Sequence, residues 1–303
     1  MRFRGLTAPA VVGVLLLWTS VVEAKSDPLD PLYKQVAADL RAGKPLVVTV
    51  YVALCDNRAI ACGSKRLGNG DRPRTNLYWG GAAGLRAYFD HRRGYKRVFL
   101  DQGDSKVVLE RVVYRRRVRP PSPRWLKLGV RKAFEIYLVG YAIRGTKIGK
   151  AAEALVRGVA QGSGTTLKLP DGTVLAVGGR SHVIGYAGHN HFMDVVGRFK
   201  WPRVVRKKPV GYFMLACQSA QYLAPKLTHP KTHALLLTKV FMYPGAFTID
   251  GLIRGLALAE PQRKVFRRGC AYYAKYQRRR PALVRRIFTH DGRTRYRKKY
   301  PGK

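Results

Sequence analysis

The sequence predicts an α/β fold, a mostly parallel sheet flanked by helices on both faces. Two segments, 46–54 and 210–216, are apolar almost throughout, which is typical of strands buried on both sides. Segments of helical periodicity alternate with such strands, and this order favours parallel strands joined by helices. We therefore expect one α/β domain over residues 25–279, with a loosely ordered basic tail over 280–303.

The first 24 residues are expected to form a cleavable secretory signal peptide. Two arginines precede an apolar stretch over 6–18, and Val22-Glu-Ala24 fits the small-x-small pattern that signal peptidase reads. The stretch is shorter than the roughly 20 residues of a membrane span. We expect export to the periplasm or beyond without a membrane span, and an uncleaved N-terminal anchor is the alternative.

The sequence of the first half of the domain predicts three strands and two helices. Apolar runs indicate strands over 46–54, 105–118 and 134–143, of which the second ends in a proline-rich loop. Asn76 is a suitable cap for a helix over 77–91, and Thr146 for an amphipathic helix that begins at 148.

The second half predicts a hairpin, three strands and three helices. Asp171-Gly172 is a turn pair that favours a hairpin over 166–176. By the same patterns, the remaining strands lie at 182–187, 210–216 and 234–237, and the helices at 219–227, 246–258 and 262–279.

The chain is strongly basic. Its 58 Lys and Arg residues outnumber 17 Asp and Glu residues, which gives a net charge of +41, and residues 263–303 hold 16 of the basic residues and one acidic residue. Smaller basic clusters lie at 111–131 and 203–208. This excess predicts attraction to polyanions, with anionic envelope polymers or lipid as the expected partners of an exported protein. A solvated surface is the alternative.

Two of the predicted strands end in reactive side chains. Residues 182–187 lead into Gly188-His189-Asn190, and 210–216 lead into Cys217-Gln218-Ser219. Since the carboxyl ends of parallel strands meet at one edge of a sheet, we expect neighbouring strands to bring His189 and Cys217 together. A cysteine at the start of a helix suits an activated nucleophile, with a histidine as its proton shuttle. The backbone at Cys217, Gln218 and Asn190 is expected to bind an oxyanion.

The segment Ala216-Cys-Gln-Ser219 resembles the cysteine motif of the caspase-like (clan CD) cysteine peptidases, including their bacterial members. In that family an apolar strand ends in His-Gly, and a following strand ends in Ala-Cys. Here Asn190 replaces the glycine whose N–H usually serves the oxyanion, and its side chain is expected to narrow the cleft. The resemblance covers roughly residues 134–258. It implies a peptidase with a His189–Cys217 dyad, a peptide or protein substrate and no cofactor.

The resemblance also implies a cleft that selects one substrate side chain, often charged. Carboxylates would select a basic one, and the candidates are Asp56, Asp101, Asp104, Asp194 and Asp250.

Two other function classes stay open. His189-Asn-His191 with Asp194 resembles the last motif of metallophosphoesterases, and His229 and His233 would add metal ligands if their segment were helical. The second class is a non-catalytic binder of envelope polyanions that uses the basic tail. Of the other cysteines, Cys55 and Cys62 are close enough to form a small disulfide loop, and Cys270 is expected to pack in a helix.

Overall fold

The computed structural model describes residues 26–103, 106–119 and 121–290. The predicted signal peptide, Asp104 and the segment 291–303 lie outside these residues.

The strands follow one another from the first buried segment to the C-terminal end of the described chain. They are β1 (Leu46–Ala53), β2 (Lys96–Asp101), β3 (Val108–Val118), β4 (Phe134–Ile143), β5 (Gly164–Lys168), β6 (Val174–Gly178), β7 (Val183–Ala187), β8 (Val210–Leu215), β9 (Thr232–Thr238) and β10 (Phe288–Thr289). The helices are α1 (Asp30–Arg41), α2 (Leu85–Asp90), α3 (Pro123–Lys127), α4 (Ile148–Gln161), α5 (His191–Asp194), α6 (Ser219–Leu227), α7 (Ala246–Ala257), α8 (Gln262–Tyr276) and α9 (Pro281–Ile287).

Eight of these strands form one sheet in the order β10-β9-β8-β7-β1-β4-β3-β2. The five neighbours β9, β8, β7, β1 and β4 are parallel, and β10, β3 and β2 are antiparallel to the strands beside them. The predicted α/β fold with a mostly parallel sheet is confirmed. The predicted hairpin is also present, as the pair β5-β6 around Asp171-Gly172.

The central strand β1 shows why the apolar runs fold as strands. Its side chains divide between two hydrophobic clusters, with Val48 and Val50 in one and Val47 in the other. The first cluster also contains residues of α1, α7 and α8, and the second contains residues of α4 and α6. Burial of each such side chain stabilises the fold by about 1.5–3 kcal/mol.

The segment between β1 and β3 differs from the sequence-based expectation. Instead of a helix over 77–91, the chain makes tight turns and only α2 is helical. A Cβ atom at Gly80 would lie 2.0 Å from the carbonyl oxygen of Arg74, so this close approach requires glycine. The strand β2 was not predicted, because an antiparallel edge strand lacks the continuous apolar pattern of a buried one. The cap of α4 is Lys147, without a side-chain bond, rather than Thr146.

The expectation of a loosely ordered tail from residue 280 is wrong for residues 281–289. They form α9 and β10, and β10 pairs with β9. Val284 and Phe288 are 0% and 1% exposed, and the N–H of Lys239 donates to the carbonyl of Ile287 at 2.7 Å. Two apolar side chains four residues apart therefore anchor this segment, although basic residues surround them in the sequence.

Within the described ranges, no helix is both long enough and apolar enough to cross a membrane.

Candidate active site

The candidate site lies at the carboxyl ends of β7 and β8, which are adjacent and parallel as predicted. Ala187 pairs with Leu215, so His189 and Cys217 each lie two residues beyond a paired position at the same edge of the sheet. The N–H of Gly188 continues the ladder by donating to the carbonyl of Leu215 at 3.0 Å. Glycine is required at position 188, because φ is +147° and a Cβ atom would lie 2.6 Å from the carbonyl oxygen of Ala53.

Asn190 connects the loops that follow these two strands. Its side-chain Nδ2 donates to the carbonyl of Cys217 at 2.6 Å, and its Oδ1 accepts the N–H of Phe192 at 3.0 Å. The side chain is fully buried. The expectation that it narrows the cleft is therefore wrong, since it is directed at backbone groups inside the protein.

The imidazole of His189 is held by a carboxylate. Its Nε2 lies 2.8 Å and 3.1 Å from the two oxygens of Asp194, and its backbone carbonyl accepts the hydroxyl of Tyr186 at 2.5 Å. Because Asp194 occupies Nε2, Nδ1 is the ring nitrogen left for exchanging a proton with a thiol or a substrate. Asp194, which the sequence offered as a substrate selector, thus serves as the partner of His189.

Cys217 is half-buried and lies between β8 and α6. Its Sγ donates to the carbonyl of Met242 at 3.7 Å. Within the described residues, no hydrogen bond joins this sulfur to the ring of His189, and catalytic hydrogen bonds are often long in free enzymes. Ser219 lies two residues after Cys217. Its hydroxyl donates to the carbonyl of Met214 and accepts the N–H of Thr238, both at 2.9 Å. These two bonds connect the ends of β8 and β9.

The backbone donors at this edge differ in their availability. The N–H of Gln218 donates to the carbonyl of Val240 at 3.0 Å, so the expectation that Gln218 binds an oxyanion through its backbone is wrong. Among the described residues, no carbonyl accepts the N–H of Asn190 or that of Cys217. Asn190 is 0% exposed, so its N–H is closed to a substrate and the expectation that it binds an oxyanion is wrong. Cys217 is half-buried, and its N–H is the candidate oxyanion donor.

Tyrosine side chains lie near Cys217. Burial raises the pKa of Tyr78, and the nearby Tyr243 and Cys217 raise it further. The rings of Tyr78 and Tyr243 meet edge to face with centroids 6.2 Å apart. Burial likewise raises the pKa of Tyr273, whose hydroxyl accepts the N–H of Tyr243 at 3.2 Å. The sequence did not indicate that these tyrosines lie together, because they come from three separate parts of the chain.

The loop after β1 holds Tyr78 in place. The side chain of Asn76 accepts the N–H of Cys55 at 3.0 Å and donates to the carbonyl of Cys55 at 2.7 Å. It also accepts the N–H of Tyr78 at 3.1 Å. Cys55 and Cys62 form a disulfide in the same loop. Asn76 is thus a connector within a loop rather than the cap of a long helix.

The other carboxylates proposed as substrate selectors are bound to arginines in other places. Asp56 is 5% exposed and pairs with Arg58, and Asp101 pairs with Arg111 between β2 and β3. Asp250 is 0% exposed. Its oxygens accept hydrogen bonds from Arg92, Arg254, Tyr88 and Tyr95 at 2.6–3.0 Å. The structure does not bring these residues to His189 and Cys217.

The geometry gives little support to a metal centre. His233 lies in β9, so His229 and His233 do not share a helix face as the metal hypothesis required. His191 lies beside Asp194, with its Nδ1 3.9 Å from an oxygen, and burial lowers its pKa. In the part of the chain that the structure describes, no three His, Cys, Asp or Glu side chains are grouped to hold a metal ion.

No protein family model matches this chain, and no curated protein or solved structure is significantly similar to it. The arrangement of His189, Cys217 and Asp194 is thus the basis on which a function is inferred.

Proposed function

We propose that this protein is an exported cysteine-type hydrolase, a caspase-like peptidase with Cys217 as its nucleophile and His189 as its base. One observation carries the proposal. The histidine and the cysteine follow adjacent parallel strands, and the buried side chain of Asn190 fixes their loops to each other. In caspase-like peptidases the two residues also follow two apolar strands, and the segment 216–219 keeps the order of their cysteine motif.

The proposed reaction uses a covalent intermediate. The sulfur of Cys217 attacks the peptide carbonyl, and Nδ1 of His189 takes the thiol proton and passes it to the leaving amine. Asp194 holds the other ring nitrogen and stabilises the imidazolium that forms in between. The N–H of Cys217, which no carbonyl accepts among the described residues, stabilises the oxyanion. A water molecule then hydrolyses the thioester and restores the thiol.

Two further features support Cys217 as the nucleophile. The helix α6 begins at Ser219, two residues after Cys217, so its N-terminus presents partial positive charge close to the sulfur. The buried Cys270 contrasts with it, because burial raises the pKa of that thiol to about 12. Of the two free cysteines, Cys217 is therefore the one whose surroundings suit a nucleophile.

The fold and the compartment belong to the same proposal. The two hydrophobic clusters, with different helices in each, support a sheet covered on both faces as in the caspase-like fold. The disulfide between Cys55 and Cys62 supports an oxidising compartment, in agreement with the predicted signal peptide. The net charge of +41 supports contact with anionic envelope polymers or lipid.

The test is hydrolysis of a fluorogenic peptide library that varies the residue before the scissile bond. Cys217→Ala should abolish cleavage, and His189→Ala should lower kcat by roughly 10²–10⁴-fold. Asp194→Asn should lower kcat more than it raises KM, since Asp194 acts through His189. The matched control is Cys270→Ala, which should retain activity because that thiol is 1% exposed.

Alkylation of the native protein gives an independent measurement. Iodoacetamide should label Cys217 and leave Cys270 unlabelled, and His189→Ala should slow the labelling. Cleavage that survives in Cys217→Ala, or a Cys217 that stays unlabelled in the native protein, would contradict the proposal.

A further inference from the structure

A concave site lies at the opposite edge of the sheet from His189 and Cys217. It is a cavity of about 620 Å³ next to the amino ends of β1 and β7. Val47 near the start of β1 and His182 just before β7 are among its lining residues. Since β1 and β7 are parallel, their amino ends and the candidate active site lie at opposite edges. The two sites are separate.

Basic side chains dominate this cavity. Its lining includes Lys44, Arg180, Arg206, Lys207 and Lys208. The one carboxylate among the described lining residues is that of Asp39, and it is already engaged: Nε2 of His182 lies 3.2 Å away and Nζ of Lys44 lies 3.7 Å away. The cavity therefore has a large excess of positive charge that the protein itself does not neutralise.

Arg206 is the deepest of these cations. It is 8% exposed, and its Nη1 donates to the carbonyls of Gly158 and Gly179, each at 2.6 Å, while its Nε donates to the carbonyl of Lys208 at 2.8 Å. Among the described residues, no carboxylate pairs with it and no acceptor binds its Nη2. Burial lowers its pKa to about 10.

The backbone contacts compensate the charge of Arg206 only in part. Gly158 belongs to the last turn of α4, where the carbonyls carry partial negative charge. A buried guanidinium without an anionic partner is costly, because its desolvation is not balanced by a full opposite charge. An anion in the cavity would supply that charge and accept the free donor at Nη2.

We propose that this cavity binds a phosphate or sulfate group of an anionic ligand. A planar guanidinium and several ammonium groups together match the oxygens of a tetrahedral anion. Val174 and Val205 line the same cavity and are 58% and 55% exposed, so an apolar part of the ligand has a surface to contact. The phosphate can come from a soluble phosphorylated compound or from a lipid headgroup, which share this chemistry.

Tripolyphosphate is the first probe, titrated by calorimetry into the protein at constant ionic strength. The native chain should bind it saturably at one site. The double variant Lys207→Gln/Lys208→Gln should bind it about a hundredfold more weakly, roughly tenfold for each lost charged contact. Both lysines are exposed, so the variant should retain the fold.

The matched control is Arg263→Gln/Lys264→Gln, which removes the same charge from exposed positions of α8 outside the cavity. This control should bind tripolyphosphate like the native chain. Cys217→Ala should also bind normally, because the proposed site does not depend on the proposed peptidase.

Vesicles distinguish the two sources of phosphate. Sedimentation with phosphatidylglycerol vesicles that tripolyphosphate reverses would assign the cavity to a lipid headgroup. Tripolyphosphate binding without vesicle binding would assign it to a soluble ligand. Absence of saturable binding, or an equal loss in the two double variants, would overturn the proposal, since the anion would then sense only the overall charge.

Discussion

Asn190 shows how one side chain can organise a site without touching a substrate. Its amide satisfies the carbonyl of Cys217 and the N–H of Phe192, and all of it is buried. A buried backbone group that loses its partner costs about 1–3 kcal/mol. Glycine, which the resembled family has at this position, would leave both groups unsatisfied here. The asparagine is therefore a connector on which this version of the site depends.

We predict that Asn190→Gly lowers the free energy of unfolding by roughly 2 kcal/mol or more, because two buried groups lose their partners. It should also slow the alkylation of Cys217. Urea unfolding and iodoacetamide labelling measure the two effects. The matched control is Gln218→Gly, which should be neutral or stabilising, since Gln218 has a φ of +52° that favours glycine. An Asn190→Gly protein with unchanged stability and faster alkylation would instead support the crowding that the sequence suggested.

Among the elements, the buried strands were the most predictable. β1, β4, β7 and β8 came from apolar runs whose length and composition leave little choice of structure. β2 was missed because a strand at the edge of the sheet needs few apolar side chains. β10 was missed because pairing with β9 depends on long-range packing that basic neighbours conceal.

The candidate site likewise combines features that the sequence predicted with contacts that it did not. Strand order brought His189 and Cys217 to one edge, and this followed from the sequence. The bonds of Asn190 and Asp194 did not follow, because they depend on the conformations of the loops after β7 and β8. A sequence pattern specifies which residues end a strand, whereas the contacts of the following loop are set by tertiary packing.

The segment 281–289 is expected to stabilise the fold. Removal of 281–303 should lower the free energy of unfolding by about 3 kcal/mol or more relative to removal of 291–303 alone, because Val284 and Phe288 leave the core. Denaturant unfolding of the two truncated proteins tests this difference. Equal stability of the two would show that α9 and β10 add nothing to the fold.

Chromatography on heparin tests whether the charge of residues 291–303 contributes to the binding of polyanions. The shorter truncation removes six basic residues and should elute earlier, with a difference that shrinks as salt rises. Unchanged retention at low salt would mean that these charges form no polyanion contact.

At the scale of the whole molecule, acidic side chains are scarce, and most of those that the structure describes form ion pairs. Asp250, fully buried, binds Arg92 and Arg254, and Glu110 binds Arg86. Breaking such a pair leaves an uncompensated buried charge, so these carboxylates stabilise the fold while most of the basic residues face solvent. The surplus positive charge is consequently not neutralised by the protein's own carboxylates, and the cavity around Arg206 is one place where it is concentrated.

The stability of the whole protein should depend on pH through a buried histidine. His233 is 8% exposed in β9, and its Nε2 has no hydrogen-bond partner among the described residues. Burial lowers its pKa to about 4, Asp27 opposes this shift and Lys231 adds to it. An unfolded chain binds the proton below a pH of about 6.5, whereas the folded protein does so only near 4. The free energy of unfolding should therefore decrease by about 3 kcal/mol as the pH falls from about 6.5 to about 4.

Two other groups with shifted pKa values bear on this measurement. The lowered pKa of His191 acts in the same direction as that of His233. The pKa of Asp39 is lowered chiefly by its hydrogen bond to His182, so its contribution is lost only as pH falls below about 4, outside the window.

Urea unfolding of the native chain and of His233→Gln at several pH values between 4 and 6.5 tests this expectation. His233→Gln can change the absolute stability, so the slope with pH is the quantity compared. The slope should flatten in this variant, with the remainder due to His191. It should persist in the control His229→Gln, since the ring of His229 lies outside β9 and is only partly buried. An equal slope in the native chain and in His233→Gln would show that the folded protein already protonates His233 as readily as the unfolded chain does. Stability would then be governed by the ion pairs.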